Sequence, residues 1–230
     1  PGVFNAITDV PGVRVGHHTL NLETGDVSIH SGVTVIEPRA GATHLQPCFA
    51  GVHVLNGNGD ATGLEWIRDA GLLTTPIAYT NTHSVGVVRD ALVAAEREMG
   101  KQHTYWCMPV VLETYDGTLN DIWGQHVTAE HVQLALQDAR SGPVQEGNVG
   151  GGTGMICHEF KGGIGTSSRV LSTEQGGWTV GALVQANYGV REALRVGGYP
   201  VGTVLGDVPS PFKSEKNVGV PGMGSIVITI

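Results

Sequence analysis

Hydrophobic and polar positions along the chain form short apolar or alternating runs, broken by longer stretches with a helical period. Val13-Arg14-Val15 and Gly32-Val33-Thr34-Val35-Ile36 read as strands, with turn residues over 21–25 between them. Gly51-Val52-His53-Val54-Leu55 predicts a further strand that ends in the turn-rich Asn56-Gly57-Asn58-Gly59-Asp60. Leu64 and Ile67 lie one turn apart, and Gly71 stops that short helix. Ile77-Ala78-Tyr79-Thr80 and Pro109-Val110-Val111-Leu112-Glu113 are extended, the second leading into a turn at Tyr115-Asp116-Gly117. The clearest helix covers 84–99, where Val88, Leu92, Ala95 and Met99 make one face and Arg89, Asp90, Arg97 and Glu98 the wet one. A second helix takes Thr128 as N-cap and carries Val132, Ala135, Leu136 and Ala139. The last third is strand-rich, with strands predicted over 178–185, 201–205 and 225–230 and a helix over 188–195. The pattern gives a layered α/β class and a single domain over 1–230, without repeats or linkers.

The run Ile226 to Ile230 is nearly all apolar. Such a run needs cover on both faces of a sheet. It either closes the fold by inserting between earlier strands or belongs to a protein that continues past Ile230, and the second is the expectation. The absence of Met before Pro1 reads as a trimmed start.

Composition narrows the partners. The chain has 230 residues and is 40% apolar, enough for a sizeable core. Its net charge of −8 offers no basic patch for a phosphate backbone, so no nucleic acid is expected. No apolar run approaches the roughly 18 residues of a membrane span, so no membrane is expected either. Cys48, Cys107 and Cys157 make no Cys-x-x-Cys pair and read as small hydrophobes in a reducing, cytoplasmic setting.

Candidate chemistry then reduces to few motifs. Gly147-Asn148-Val149-Gly150-Gly151-Gly152-Thr153-Gly154 lacks the Gly-Lys-Ser/Thr of a P-loop and the strand-before, helix-after context of a dinucleotide fingerprint. Close backbone approach is the better account. The histidines show no metal-ligand spacing, and no metal or cofactor is expected. A Ser-His-Asp triad has no Gly-x-Ser-x-Gly elbow to support it. Gly222-Met223-Gly224-Ser225, just before a strand, suits self-processing: the Ser225 hydroxyl attacks the unshielded Gly224 carbonyl, and hydrolysis of the ester frees an N-terminal Ser. Its α-amine, with a pKa of about 7.7–8.0, is then a base near working pH.

Seven segments, in order along the chain, resemble the L-aminopeptidase/D-amino-acid esterase family (DmpA-like, including β-peptidyl aminopeptidases). They are the stretch from Asn5 to His17, the stretch from Leu55 to Gly63, Glu113-Thr114-Tyr115-Asp116-Gly117, the cluster 147–155, the stretch 161–169, Val184-Gln185-Ala186-Asn187-Tyr188-Gly189, and Gly224-Ser225-Ile226-Val227-Ile228. The resemblance implies an α-β-β-α sandwich like that of the N-terminal nucleophile hydrolases but with different connectivity. It implies an α-chain-like portion over 1–224, cut from a β-chain-like portion that starts at 225 and continues beyond the chain, and a homo-oligomer. The implied activity releases N-terminal residues from small peptides, amides and esters through an acyl-enzyme. It makes Ser225 the nucleophile and Tyr115, through its hydroxyl, and Asn187, through its amide, hydrogen-bond donors at the site. Two rivals remain: an acyltransferase of the ornithine acetyltransferase type, which would use Thr in place of Ser225, and a non-catalytic small-molecule-binding domain.

Overall fold

The computed structural model describes residues 1–99, 106–211 and 224–230. β1 (Arg14–Thr24) and β2 (Val27–Glu37) form a long antiparallel hairpin whose register closes at Thr24 opposite Val27. The turn is therefore Gly25-Asp26, with Gly25 at φ +61°, and Asn21 is a strand residue opposite His30, not part of a turn. β2 pairs antiparallel with β5 (Ile77–Asn81), and β5 pairs parallel with β6 (Val110–Thr114), giving a four-stranded sheet. The parallel step is bridged by α2 (Val85–Met99), as a crossover requires. Between β2 and β5 lie the two-residue strands β3 (Cys48–Phe49) and β4 (Leu72–Leu73), paired with each other, and α1 (Leu64–Ala70), closed by left-handed Gly71.

One face of this sheet is covered by α2 and α3 (Ala129–Asp138). Val85, Val88, Ala91 and Leu92 from α2 and Val132 and Ala135 from α3 pack on Leu20, Val33, Val35, Ala78 and Val111. Full withdrawal from water stabilises each larger side chain by roughly 1.5–3 kcal/mol. The other face meets a second sheet, ordered β11-β10-β9, formed by β9 (Gly163–Val170), β10 (Thr179–Asn187) and β11 (Ser225–Thr229). Ile7, Ile36, Ile77, Tyr79, Val110, Ile164 and Leu183 fill the space between the sheets. The layers among the described residues are thus helix, sheet, sheet.

Strand periodicity sets what β10 and β11 present to that space. Leu183 and Gln185 are fully buried, while Ser225, Val227 and Thr229 alternate with the more exposed Ile226 and Ile228. Among the described residues β11 lies at the end of its sheet, beside β10, and is not inserted between earlier strands. The glycine cluster packs between the sheets. A Cβ on Gly151 would come within 2.5 Å of Gln185 Oε1 and 2.6 Å of the Tyr79 carbonyl, and one on Gly152 within 2.7 Å of Gly163 Cα. Close approach is why these positions are glycine.

Three expected elements differ. Residues 51–55 form no strand and are mostly exposed; among the described residues no strand pairs with them. Val201–Val204 is a short helix, α4, where a strand was expected: Gly202 donates to the Leu194 carbonyl and presses on the Arg191 carbonyl, where no strand pairs with it. The helix expected over 188–195 is one 3-10 turn, Arg191–Ala193. Gly100, a natural stop for the helix expected over 84–99, lies outside the described residues. No disulfide joins the cysteines.

Candidate active site

β5 and β6 run parallel and end side by side at Asn81 and Thr114. Crevices form naturally beyond the carboxyl ends of parallel strands, where the chain must leave the sheet. Here Tyr115 and Asp116 leave β6 and meet the start of β11 and the end of β10, which face each other through the Asn187–Ser225 pair.

Ser225 Oγ accepts hydrogen bonds from the Tyr115 main-chain N–H at 3.2 Å and from Asn187 Nδ2 at 3.1 Å. Both partners donate, so neither uses the hydroxyl proton, which stays available to a base. The Asn187 amide is fixed on both sides. Its Oδ1 accepts from the Ile156 N–H at 2.9 Å, and its Nδ2 also donates to the Tyr115 carbonyl at 2.8 Å. Ile156 lies on β7 (Ile156–Cys157), which pairs with β8 (Phe160–Lys161) in a tight hairpin. Tyr115 thus reaches Ser225 through its backbone. Its half-exposed phenol folds back over Gly117, where an added Cβ would lie 2.4 Å from the hydroxyl. Gly224, at φ +156°, packs on Tyr188, 3.3 Å from that residue's Cβ to where its own would be.

A buried polar cluster under Tyr115 holds this arrangement. The Asp116 carboxylate, wholly buried, accepts from Ser31 Oγ at 2.8 Å and from Asn81 Nδ2 at 2.9 Å. Burial pushes its pKa up, against hydrogen bonds from Ser31, Asn81 and Asn120 that favour the charged form. Asn81 also donates to Ser31 Oγ at 3.1 Å. Beside it, buried Glu113 accepts from Thr82 Oγ1 and, at 3.0 Å, from the Asp60 N–H. That second bond secures the end of the Asn56–Asp60 turn. Gln185 Nε2 ties the two sheets by donating to the Thr80 carbonyl at 3.1 Å and Thr114 Oγ1 at 2.7 Å.

The three residues singled out from sequence, Ser225, Asn187 and Tyr115, therefore meet at one point. Ser31, Asn81 and the Ile156 N–H were not foreseen. A polar Asn directly after the extended run 77–80 was the available signal for Asn81; a main-chain donor leaves none. Among the described residues no group of three or more His, Cys, Asp or Glu could hold a metal ion.

With this geometry, residues 5–230 match peptidase family S58. The chain belongs to that family. It is 48% identical to the beta-peptidyl aminopeptidase BapA of Sphingosinicella microcystinivorans, an alignment spanning all of this chain and 61% of the relative. A solved Burkholderia sp. beta-aminopeptidase superposes with TM-score 0.92 at 77% identity, over 99% of this chain and 61% of that one. The L-aminopeptidase D-Ala-esterase/amidase of Ochrobactrum anthropi superposes with TM-score 0.86 at 44% identity, over 99% and 62%. That enzyme is described as a prototype for the serine aminopeptidases and a new variant among the Ntn hydrolase fold, so this S58 chain shares that fold variant. The chain spans about three fifths of the length of these relatives.

Proposed function

We propose that this S58 chain forms the greater part of a self-processing serine aminopeptidase, amidase and esterase. The observation that carries the reading is the convergence of Asn187 Nδ2 and the Tyr115 N–H on one serine oxygen that directly follows a glycine. In the first step Ser225 Oγ bonds to the Gly224 carbonyl carbon and the C–N bond breaks. The hydroxyl proton passes to the leaving nitrogen, and an ester replaces the peptide. Water then hydrolyses the ester, leaving the Gly224 carboxylate and a Ser225 with free amine and hydroxyl.

In turnover that amine takes the Oγ proton as Oγ attacks the carbonyl of the substrate's first residue. The oxyanion forms one carbon away from Oγ, within reach of the donors already gathered there. Departure of the amine or alcohol leaves an acyl-enzyme that water resolves. Similarity to two β-aminopeptidases supports β-amino residues as well as α-amino ones at the substrate's first position. A β-chain portion beyond Ile230, a homo-oligomer and a cytoplasmic setting belong to the same proposal.

A binding domain without chemistry has no use for two donors aimed at a serine hydroxyl. An acyltransferase would use Thr where this chain has Ser225. The test is Ser225→Ala in the natural full-length protein: one uncut chain without turnover is expected, and two fragments from that variant would overturn the reading. Acyl transfer to an added amine exceeding hydrolysis would favour the acyltransferase.

A further inference from the structure

We infer that His158 is a positioning residue for the chemistry of Ser225: it holds the segment that follows β10, and so sets Asn187 against the Ser225 hydroxyl and Tyr188 against Gly224. The inference rests on the reading of Ser225 as a self-processing nucleophile. His158 and Glu159 are the two-residue turn of the β7–β8 hairpin, since Cys157 and Phe160 pair on either side of them. Both have positive φ, +50° and +61°. A two-residue turn with both residues left-handed favours Asn-Gly or Asp-Gly, so His-Glu is a strained choice there. Such strain persists where surrounding contacts over-determine it, and it gathers at functional sites.

The contacts of His158 all fall on one segment. Its main-chain N–H donates to the Tyr188 carbonyl at 2.8 Å, and Nδ1 donates to the Val190 carbonyl at 2.9 Å. The imidazole stands edge-on to the Tyr188 ring, with centroids 5.3 Å apart. Gly189, at φ +87°, passes so close that a Cβ on it would lie 2.5 Å from the imidazole. One side chain thus supplies a donor and a wall together, which a turn Asn does not. The hairpin is itself anchored by buried Met155 and Ile156.

The segment needs that hold. β9 pairs with β10 only as far as Ala186, opposite Gly163, and residues 188–190 are exposed, so hydrogen bonds rather than burial fix them. At its start lies Asn187, whose Oδ1 accepts from the Ile156 N–H of the same hairpin and whose Nδ2 donates to Ser225 Oγ. Next comes Tyr188, on which Gly224 packs: a Cβ on Gly224 would lie 3.3 Å from Tyr188 Cβ and 3.4 Å from its Cα. The hairpin therefore places the attacking oxygen through Asn187 and the attacked glycine through Tyr188. Attack within one chain depends on orientation, and a displacement of about 1 Å can cost on the order of 10² in rate. Cleavage uses both contacts and turnover only that of Asn187, so loosening the segment slows cleavage more than turnover.

The experiment follows cleavage of the natural full-length protein by pulse–chase during cell-free synthesis, for wild type, His158→Asn, His158→Asp and His158→Gly. Steady-state kinetics are then measured per cleaved molecule. Asn, Asp and Gly all accept the left-handed turn, but only Asn offers a donor where Nδ1 stands. His158→Asn should cleave within about threefold of wild type. His158→Asp and His158→Gly should cleave about tenfold or more slowly and lose about threefold or more in kcat, with KM little changed. Cleavage in His158→Asp as fast as in His158→Asn, cleavage in His158→Asn as slow as in His158→Gly, or a raised KM at unchanged kcat overturns the inference. Should His158→Gly not fold, the Asn and Asp variants decide it alone. A wild type that stays uncut yet active defeats the reading of Ser225 and this inference with it, whereas normal cleavage in wild type and in all three variants defeats this inference alone.

Discussion

Asn187 makes one hydrogen bond through its oxygen and two through its nitrogen, so the amide has only one orientation that satisfies Ile156, Tyr115 and Ser225 together. Loss of one donor to a developing oxyanion typically raises the barrier by about 2.7–4 kcal/mol. Asn187→Ala in the full-length protein should therefore stay folded and lose on the order of 10²–10³ in kcat; a loss under about tenfold would remove Asn187 from the chemistry. A different residue, His17, sets a pH limit on the fold. Its Nδ1 meets Thr34 Oγ1 at 2.9 Å, and burial, opposed by Asp138, pushes its pKa down to about 4 from 6.5. The folded pKa lies below the unfolded one, so the neutral ring is the folded form. Stability is full above about pH 6.5 and falls as pH drops toward 4. Between pH 7.5 and 4.5 this amounts to about 2–3 kcal/mol. Urea unfolding at the two pH values should show that loss in wild type and a smaller one in His17→Asn, with equal losses contradicting it.

At the scale of elements, the turn Gly150–Gly152 is the spacer that lets the two sheets approach. Gly152→Ala drives a methyl into the backbone of Gly163 and Ile164, both 2.7 Å away, whereas Gly57 has open space around it. Overpacking of this kind costs about 1–3 kcal/mol, against about 0.5 or less for Gly57→Ala; equal stabilities in denaturant would refute the spacer role. The glycine run marks a close approach in the sequence but not the surfaces it joins, since sheet-to-sheet contact is not local. α2 and α3 were legible because a 3.6-residue period over three or four turns has few rivals. Gly51-Val52-His53-Val54-Leu55 carries an equally clear alternation, yet it is coil, because alternation marks a strand only where a partner edge is free. Val201–Val204 is likewise no strand: it is a short helix whose Gly202 packs on the Arg191 carbonyl, while Val204 stays exposed. Ser225, Asn187 and Tyr115 were reached through motifs, while the Tyr115 contact is main-chain and so invisible to residue type.

Across the whole molecule, the path from sequence to chemistry runs through topology. A parallel β5–β6 pair ends beneath an antiparallel β10–β11 pair, and the crossing brings Tyr115 and Asn187 from two distant segments onto the Ser225 oxygen, with Ile156 from a third fixing Asn187. Neither sheet alone makes a site. The family relation agrees with that geometry, over about three fifths of the relatives' length. The deciding measurement is intact mass and N-terminal sequencing of the natural full-length protein, taken alongside its aminopeptidase turnover. A break between Gly224 and Ser225, a free N-terminal Ser and activity that rises with the cleaved fraction are the predicted results. Full turnover from molecules in which that peptide bond is unbroken would contradict the account.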